Sequence, residues 1–242
     1  MTRSNEYGLT LYTSDQHFRH KNILIYARRP FKDINHMDLV LLENLRAAER
    51  VADRLILCGD LTFDLARFHS QYGRIFAAPS GKRITLGNHD LRKNRTNKED
   101  KVQRDAYDLE FEEVVGDAKD WRRNMMVVQD RLDGKEVQVL VSHAPQENLW
   151  GCDINVHGHI HNSILLAKEH HPEDHWTIDS PVHFCACVEL HHFKAVTLDQ
   201  LAAAHRNRYN DARQDIADID EAAEEALRQR RASLPRGKLS AP

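Results

Sequence analysis

Long apolar runs are missing from this chain. No stretch approaches the roughly 20 residues that a membrane-spanning helix needs, so no span is expected. Cysteine is scarce: four in 242 residues, none spaced as Cys-x-x-Cys. That excludes a disulfide scaffold and a thiolate-only zinc site, and leaves reduced thiols as the expectation. Cys58, Cys185 and Cys187 fall in apolar, strand-like runs and are expected in the core. Neither sign of charge dominates, since 34 Lys+Arg against 37 Asp+Glu leave a formal net charge of −3. No global pull toward nucleic acid or a membrane surface follows. Met1 to Glu6 lacks the apolar stretch of a secretory signal, so a cytoplasmic protein is expected. With 41% hydrophobic and 29% charged residues the chain has the composition of a folded protein of one or two domains.

Histidine, by contrast, is abundant: 16 in all, ten of them between His143 and His192. Neutral imidazole is the commonest metal ligand, so this density raises a metal hypothesis before any motif is read. His170, His171, His175, His191 and His192 read as surface residues, and His183 as packing or solvent-facing.

Periodicity gives the organisation. Gly8 to Ser14 reads as a buried strand. Asn35 to about Val51 reads as a helix, with Met37, Leu41, Leu45 and Ala48 on one stripe. Arg54 to Cys58 is a second strand. Leu65 to Ala77 is a second helix stopped by Pro79-Ser80-Gly81, and Arg83 to Leu86 a third strand. This β-α-β-α-β half predicts a sheet with helical crossovers. Trp121 to Asp130 and Lys135 to Ser142 flank Asp133-Gly134, a hairpin signal. Further strands are expected at Asp153 to His157, Val182 to Glu189 and Ala195 to Leu198. From Asp199 a charge-dense helix is expected to about Ala232, with Ile216, Ile219, Ala223 and Leu227 on one narrow face and a basic end at Arg228 to Arg231. The expected division is 1–198 and 199–242.

Five short pieces then stand out in order: Asp15-Gln16-His17, Gly59-Asp60, Gly87-Asn88-His89-Asp90, Ser142-His143 and His157-Gly158-His159-Ile160-His161. Asp-x-His alone reads equally well as a capped turn, and Asp60 alone as a helix N-cap. Gly-Asn-His-Asp is far more specific. Each piece follows the end of an expected strand, which is where sheets with helical crossovers place their ligands.

In this order the pieces resemble the calcineurin-like metallophosphoesterase family, whose pattern is D-x-H, G-D, G-N-H-[DE], H and G-H-x-H. Ser14 to Phe18, His20 to Ile23 and Arg29-Pro30-Phe31 look like a small bacterial and phage subgroup. The resemblance implies a four-layer α-β-β-α sandwich of two mixed sheets, with a C-terminal helical extension. It implies one metal held by Asp15, His17 and His161, a second by Asn88, His143 and His159, and Asp60 bridging the two. His89 would be the general acid and Asp90 its orienting partner. His157 reads as packing or support rather than a ligand.

The residue chemistry agrees with hydrolysis. Two carboxylates against two divalent ions leave a surplus positive charge to acidify a bridging water and bind an anionic phosphoester. The nitrogen and oxygen donors suit Mn, Fe or Zn, with Co or Ni also compatible. His20, Arg19, Arg28, Arg29 and Arg92, the last in a basic stretch after the Gly-Asn-His-Asp motif, are the expected substrate contacts; a solvated basic face is the plainer reading of that stretch. Gly59 to Asp64 lacks the Arg of the protein-phosphatase G-D-x-V-[DN]-R-G extension. About 44 residues after Leu198 leave little room for the added domains of repair nucleases. A dinuclear phosphodiesterase acting on a nucleotide or other small phosphoester through a metal-bridging hydroxide is the expectation. A phosphomonoesterase, a nuclease with nucleic acid as substrate only, and a non-catalytic scaffold are the alternatives. A homodimer through the C-terminal helix is left open.

Overall fold

The computed structural model describes residues 8–90, 97–117, 120–161 and 180–207. Its fold is α/β, with two four-stranded sheets. The first sheet takes β1 (Thr10–Thr13), β2 (Arg54–Leu57), β3 (Lys82–Thr85) and β4 (Glu113–Val115) in chain order. All three neighbouring pairs are parallel. The second takes β5 (Met125–Leu132), β6 (Lys135–Ser142), β7 (Ile154–His157) and β8 (His183–Cys185), antiparallel in its hairpin and parallel thereafter. Only the second sheet is therefore mixed as expected. The first is parallel because helices return the chain between its strands, and its antiparallel pairing is confined to an isolated bridge between Tyr12 and Val196.

The returns are α1 (Ile23–Tyr26) with α2 (Ile34–Glu49), α3 (Leu65–Tyr72) and α4 (Asn97–Glu110). Asp33 caps α2 by accepting from His36 N at 2.9 Å, and Met37, Leu41, Leu42, Leu45 and Ala48 form its buried stripe. Asp64 caps α3 by accepting from Arg67 N at 2.9 Å. That helix stops at Tyr72, short of the expected Ala77, because Gly73 leaves the helical region at φ +74°.

Period-2 alternation assigns the faces of the first sheet. Leu11, Leu55, Leu57 and Ile84 pack in one core with α2, α3 and Tyr107 of α4. Tyr12 and Ile56 point the other way, into a second core completed by Met126, Val128, Val139, Val141, Val156 and Phe184 of the second sheet. The hairpin forms where expected: Asp133 and Gly134 both have positive φ, and Leu132 pairs with Lys135. Its first strand starts at Met125, because Trp121–Arg123 is a 3₁₀ turn.

The expected strand Val182 to Glu189 is cut to His183–Cys185. Beyond it Cys187 bridges Ser14 of the first sheet, and Val188–His191 is a 3₁₀ turn. The strand expected at Ala195 to Leu198 is reduced to the Val196 bridge. Residues 198–207 are helical, with Leu198, Leu201 and Ala202 buried in the second core. The compact unit holding both sheets runs through His205. Arg92, the stripe from Ile216 to Leu227 and the basic end at Arg228 lie outside the described residues. Among the described residues, no helix is long and apolar enough to cross a membrane.

Candidate metal centre

All the expected ligand loops leave the carboxyl ends of strands: Asp15 after β1, Asp60 after β2, Asn88 after β3, His143 after β6, and His159 and His161 after β7. Five of the seven expected ligands, His17 included, sit in the left-handed region, where a side chain is strained: Asp15 (φ 60°), His17 (54°), Asp60 (55°), His159 (70°) and His161 (48°). Strain of this kind persists where the surrounding structure holds it for a site. Gly158 is required by close approach rather than by its backbone angles, since a Cβ there would collide with Ser14 Oγ and Asp15 Oδ2.

Each carboxylate is held by one oxygen and left open at the other. Asp15 Oδ2 accepts from Ser14 Oγ (2.5 Å), His159 N (3.0 Å) and Cys187 Sγ (3.2 Å). Asp15 Oδ1 is buried without a hydrogen-bond partner and faces His17 Nε2 and His161 Nε2, each at 3.5 Å. Asp60 repeats the pattern. Its Oδ1 accepts from His89 N at 2.8 Å, while Oδ2 faces Nε2 of His143 (3.3 Å), His17 (3.6 Å) and His89 (3.8 Å). These separations are long for hydrogen bonds. Those of His17, His143 and His161 match the roughly 3.0–3.6 Å between donors that share an ion about 2.0–2.2 Å from each, and that of His89 is longer.

The outer ring nitrogens fix which nitrogen each ring turns inward. His143 Nδ1 lies 2.7 Å from Cys58 O, which can only accept, so Nδ1 carries the hydrogen and Nε2 faces Asp60 and Asn88 Oδ1 (3.0 Å). His161 Nδ1 donates to Glu189 Oε1 at 2.9 Å. His17 Nδ1 lies 3.2 Å from His20 Nδ1, and His17 Nε2 is a second buried atom without a hydrogen-bond partner. Acceptors converging on acceptors need a positive charge between them. The ring of His159 completes the cluster, its centroid 5.1 Å from that of His143.

Without an ion, protons answer that need. Burial disfavours the His143 imidazolium, but the Asp60 carboxylate outweighs it and lifts the pKa to about 10. Burial is likewise outweighed at His161 by Glu189 and Asp15, which lift it to about 9. His17 falls to about 4 through burial, and His159 to about 3 through burial and the neighbouring His143. Asp15 and Asp60 stay below the usual carboxylate range despite burial, held down chiefly by His161 and His143 respectively. Two carboxylates and two imidazoliums therefore balance, and a divalent ion entering would displace protons.

No family model matches this chain. Over 79 residues, 32% of its length, it is 33% identical to MJ1445, an uncharacterized protein of Methanocaldococcus jannaschii, and the match spans 44% of that protein. Its fold is similar to the crystal structure of AQ665, a protein of unknown function from Aquifex aeolicus. That likeness has a TM-score of 0.54 at 22% identity and covers 80% of this chain and 97% of the other. At that identity it is a likeness of fold alone.

Three expected roles change. Asp90 does not touch the His89 ring. Its carboxylate accepts from the backbone of Asp60 (2.7 Å), Leu61 (2.8 Å), Thr62 (3.3 Å) and Gly87 (2.8 Å), and from Tyr107 Oη. It ties the two ligand loops together. The His89 ring is instead set edge-on against Phe63, with centroids 4.6 Å apart. Arg29 cannot clamp a substrate phosphate, because its guanidinium is fully buried on Glu189, Gln16 O and Asp15 O. Arg19 turns to Asn35 and Asp38 of α2. His20 remains beside the site, between Phe63 and His17. His157 is buried with Nδ1 2.9 Å from Gly158 O, and His183 packs with Nε2 2.9 Å from Gln146 O.

Sequence reasoning missed Glu189, Trp121 and Cys187. The Trp121 ring lies 4.8 Å from that of His159 and 5.4 Å from that of His143. The Cys187 thiol is pushed well up by burial, which keeps it a donor to Asp15 rather than a thiolate. None of the three has a spacing signature, since each reaches the site from a distant part of the chain.

Proposed function

We propose that this protein is a dinuclear metal-dependent phosphoesterase of the calcineurin-like kind, with the four-layer sandwich of that family, acting on a phosphodiester such as a nucleotide or other small phosphoester. The observation that carries the reading is the inward convergence of carboxylate oxygens and imidazole nitrogens. Asp15 Oδ1, Asp60 Oδ2 and the Nε2 atoms of His17, His143 and His161 face one another at 3.3–3.6 Å, while their outer atoms are saturated by the protein. Asp60 Oδ2 is the shared corner, because it faces both His17 and His143.

Two divalent ions held there would polarise the phosphoryl group and acidify a water. The chain's own residues do the remainder. Asp15, His17 and His161 with Asp60 would hold one ion; Asn88, His143 and His159 with Asp60 would hold the other. His89 is 32% exposed at its side chain, the most accessible imidazole facing Asp60. Its backbone N–H is fixed on Asp60 and its ring on Phe63, so it presents a proton to the leaving oxygen without being required for the ions.

The test is metal stripping and reloading, with ion content and turnover measured together. About two ions per chain are expected, with hydrolysis of bis(p-nitrophenyl) phosphate that chelation abolishes. Faster turnover of p-nitrophenyl phosphate would reassign the enzyme to monoesters. No bound ion, or turnover indifferent to chelation, would overturn the reading.

A further inference from the structure

Glu189 lies outside every motif read from the sequence, yet it joins both halves of the site. It sits on the 3₁₀ turn Val188–His191, placed beside β1 by the Ser14–Cys187 bridge and by Val188 N donating to Ser14 O at 3.2 Å. A single oxygen, Oε1, accepts from His161 Nδ1 (2.9 Å), Arg29 Nε (2.9 Å) and Arg29 Nη2 (2.6 Å). Arg29 continues the chain of contacts, donating from Nη1 to Gln16 O (2.7 Å) and from Nη2 to Asp15 O (2.5 Å). One buried ion pair therefore fixes the ring of His161 and the backbone that carries Asp15.

We propose that Glu189 is a positioning residue for the first ion, acting with Arg29 to hold the Nε2 lone pair of His161 opposite Asp15 Oδ1. This rests on the metal-centre reading above. An imidazole can turn about its bond to Cβ and can carry its hydrogen on either nitrogen. An acceptor fixed at Nδ1 selects one tautomer and one ring orientation. Arg29 serves this role better than a surface clamp could, because its planar fork spans the Glu189 carboxylate and two carbonyls at once. Glu189 acts through His161, so its reach matters more than its charge. Its other oxygen, Oε2, is buried without a hydrogen-bond partner, so an amide nitrogen there would displace no donor.

The test uses Mn²⁺ alone as probe, on the full chain, with chelator competition to obtain the affinity of each site. Glu189→Gln keeps the acceptor at the same reach and removes the charge; Glu189→Asp keeps the charge and withdraws it by one methylene. The expected result is that Gln holds the first ion within about threefold of wild type, whereas Asp and Ala weaken it about 10–100-fold. The second ion should be unchanged in all three. Thermal unfolding in chelator should move the other way for Gln, which leaves buried Arg29 without its counter-charge. Asp binding like wild type while Gln binds like Ala would overturn the proposal, as would equal weakening of both ions or no change in any variant. A wild-type chain that takes up no Mn²⁺ would overturn the metal centre and this proposal with it.

Discussion

Tyr107 of α4 donates its hydroxyl to Asp90 Oδ1 at 2.5 Å, the same oxygen that accepts from Leu61 N at 2.8 Å. Helix α4, which follows the Gly-Asn-His-Asp run, thus supports the loop that carries Asp60. Replacing Asp90 with Asn turns one oxygen into a donor that faces backbone N–H groups. Each buried donor left unpaired costs about 1–3 kcal/mol. Asp90→Asn is therefore expected to lose on the order of 3 kcal/mol in urea unfolding with chelator present, and to lose ions as the loops loosen. Tyr107→Phe removes one donor and should lose about 1.5 kcal/mol with ion content retained. An Asp90→Asn protein of wild-type stability, impaired only with poor leaving groups, would return Asp90 to the role of orienting His89.

Asp15→Asn should separate folding from metal binding. The amide oxygen can remain on Ser14, His159 and Cys187 while the amide nitrogen donates to the neutral His17 ring. Unfolding in chelator should stay cooperative, at a temperature no higher than wild type because His161 loses the Asp15 carboxylate, and one ion should be lost. Asp60→Asn should weaken both ions, because its Oδ2 is the shared corner. For wild type, Mn²⁺ at 100 times its dissociation constant adds about 2.7 kcal/mol, a rise of about 5–10 °C in unfolding temperature. Elemental analysis and thermal melts with and without Mn²⁺ check all three expectations. Loss of both ions from Asp15→Asn alone would contradict the assignment of Asp60 as the bridge.

Asp38 sets a pH dependence away from the ions. Burial lifts its carboxyl to about 6, against the opposing pull of the Arg19 backbone N–H and guanidinium. A carboxyl with a folded pKa above its unfolded value binds its proton more tightly in the folded state. Its contribution to stability is greatest below about pH 4 and is lost as pH rises through about 6. Asp38→Asn has no such titration. The wild-type minus Asp38→Asn stability difference, measured in chelator, should fall between pH 4 and 6 and stay level above. A difference that rises with pH would reverse the assignment.

His89→Gln should show a leaving-group signature. General acid catalysis contributes about 10²–10⁴-fold where the leaving oxygen needs a proton. An alkyl phosphodiester should lose most of that factor, and a nitrophenyl ester much less, with ion content unchanged. Equal losses for both would assign His89 to substrate binding, and loss of metal would make it a ligand.

What the sequence determined by itself was local. The apolar run Leu55-Ile56-Leu57, the stripe Met37-Leu41-Leu45 and the turn Asp133-Gly134 are interactions among near neighbours in the chain. The ligand loops were legible for the same reason, since each is a short run at the end of a recognisable strand. The tertiary structure decided what long-range partners control. It chose which oxygen of Asp15 and Asp60 stays open, through donors up to 172 residues away at Cys187. It set the His161 tautomer through Glu189, buried Arg29 on that same carboxylate 160 residues distant, and gave Asp90 to the backbone. In the sequence an Arg near a candidate site and an Asp beside a His read equally well as clamp and orienter. Only burial and the identity of the nearest acceptor or donor distinguish those roles, and both are properties of the folded chain.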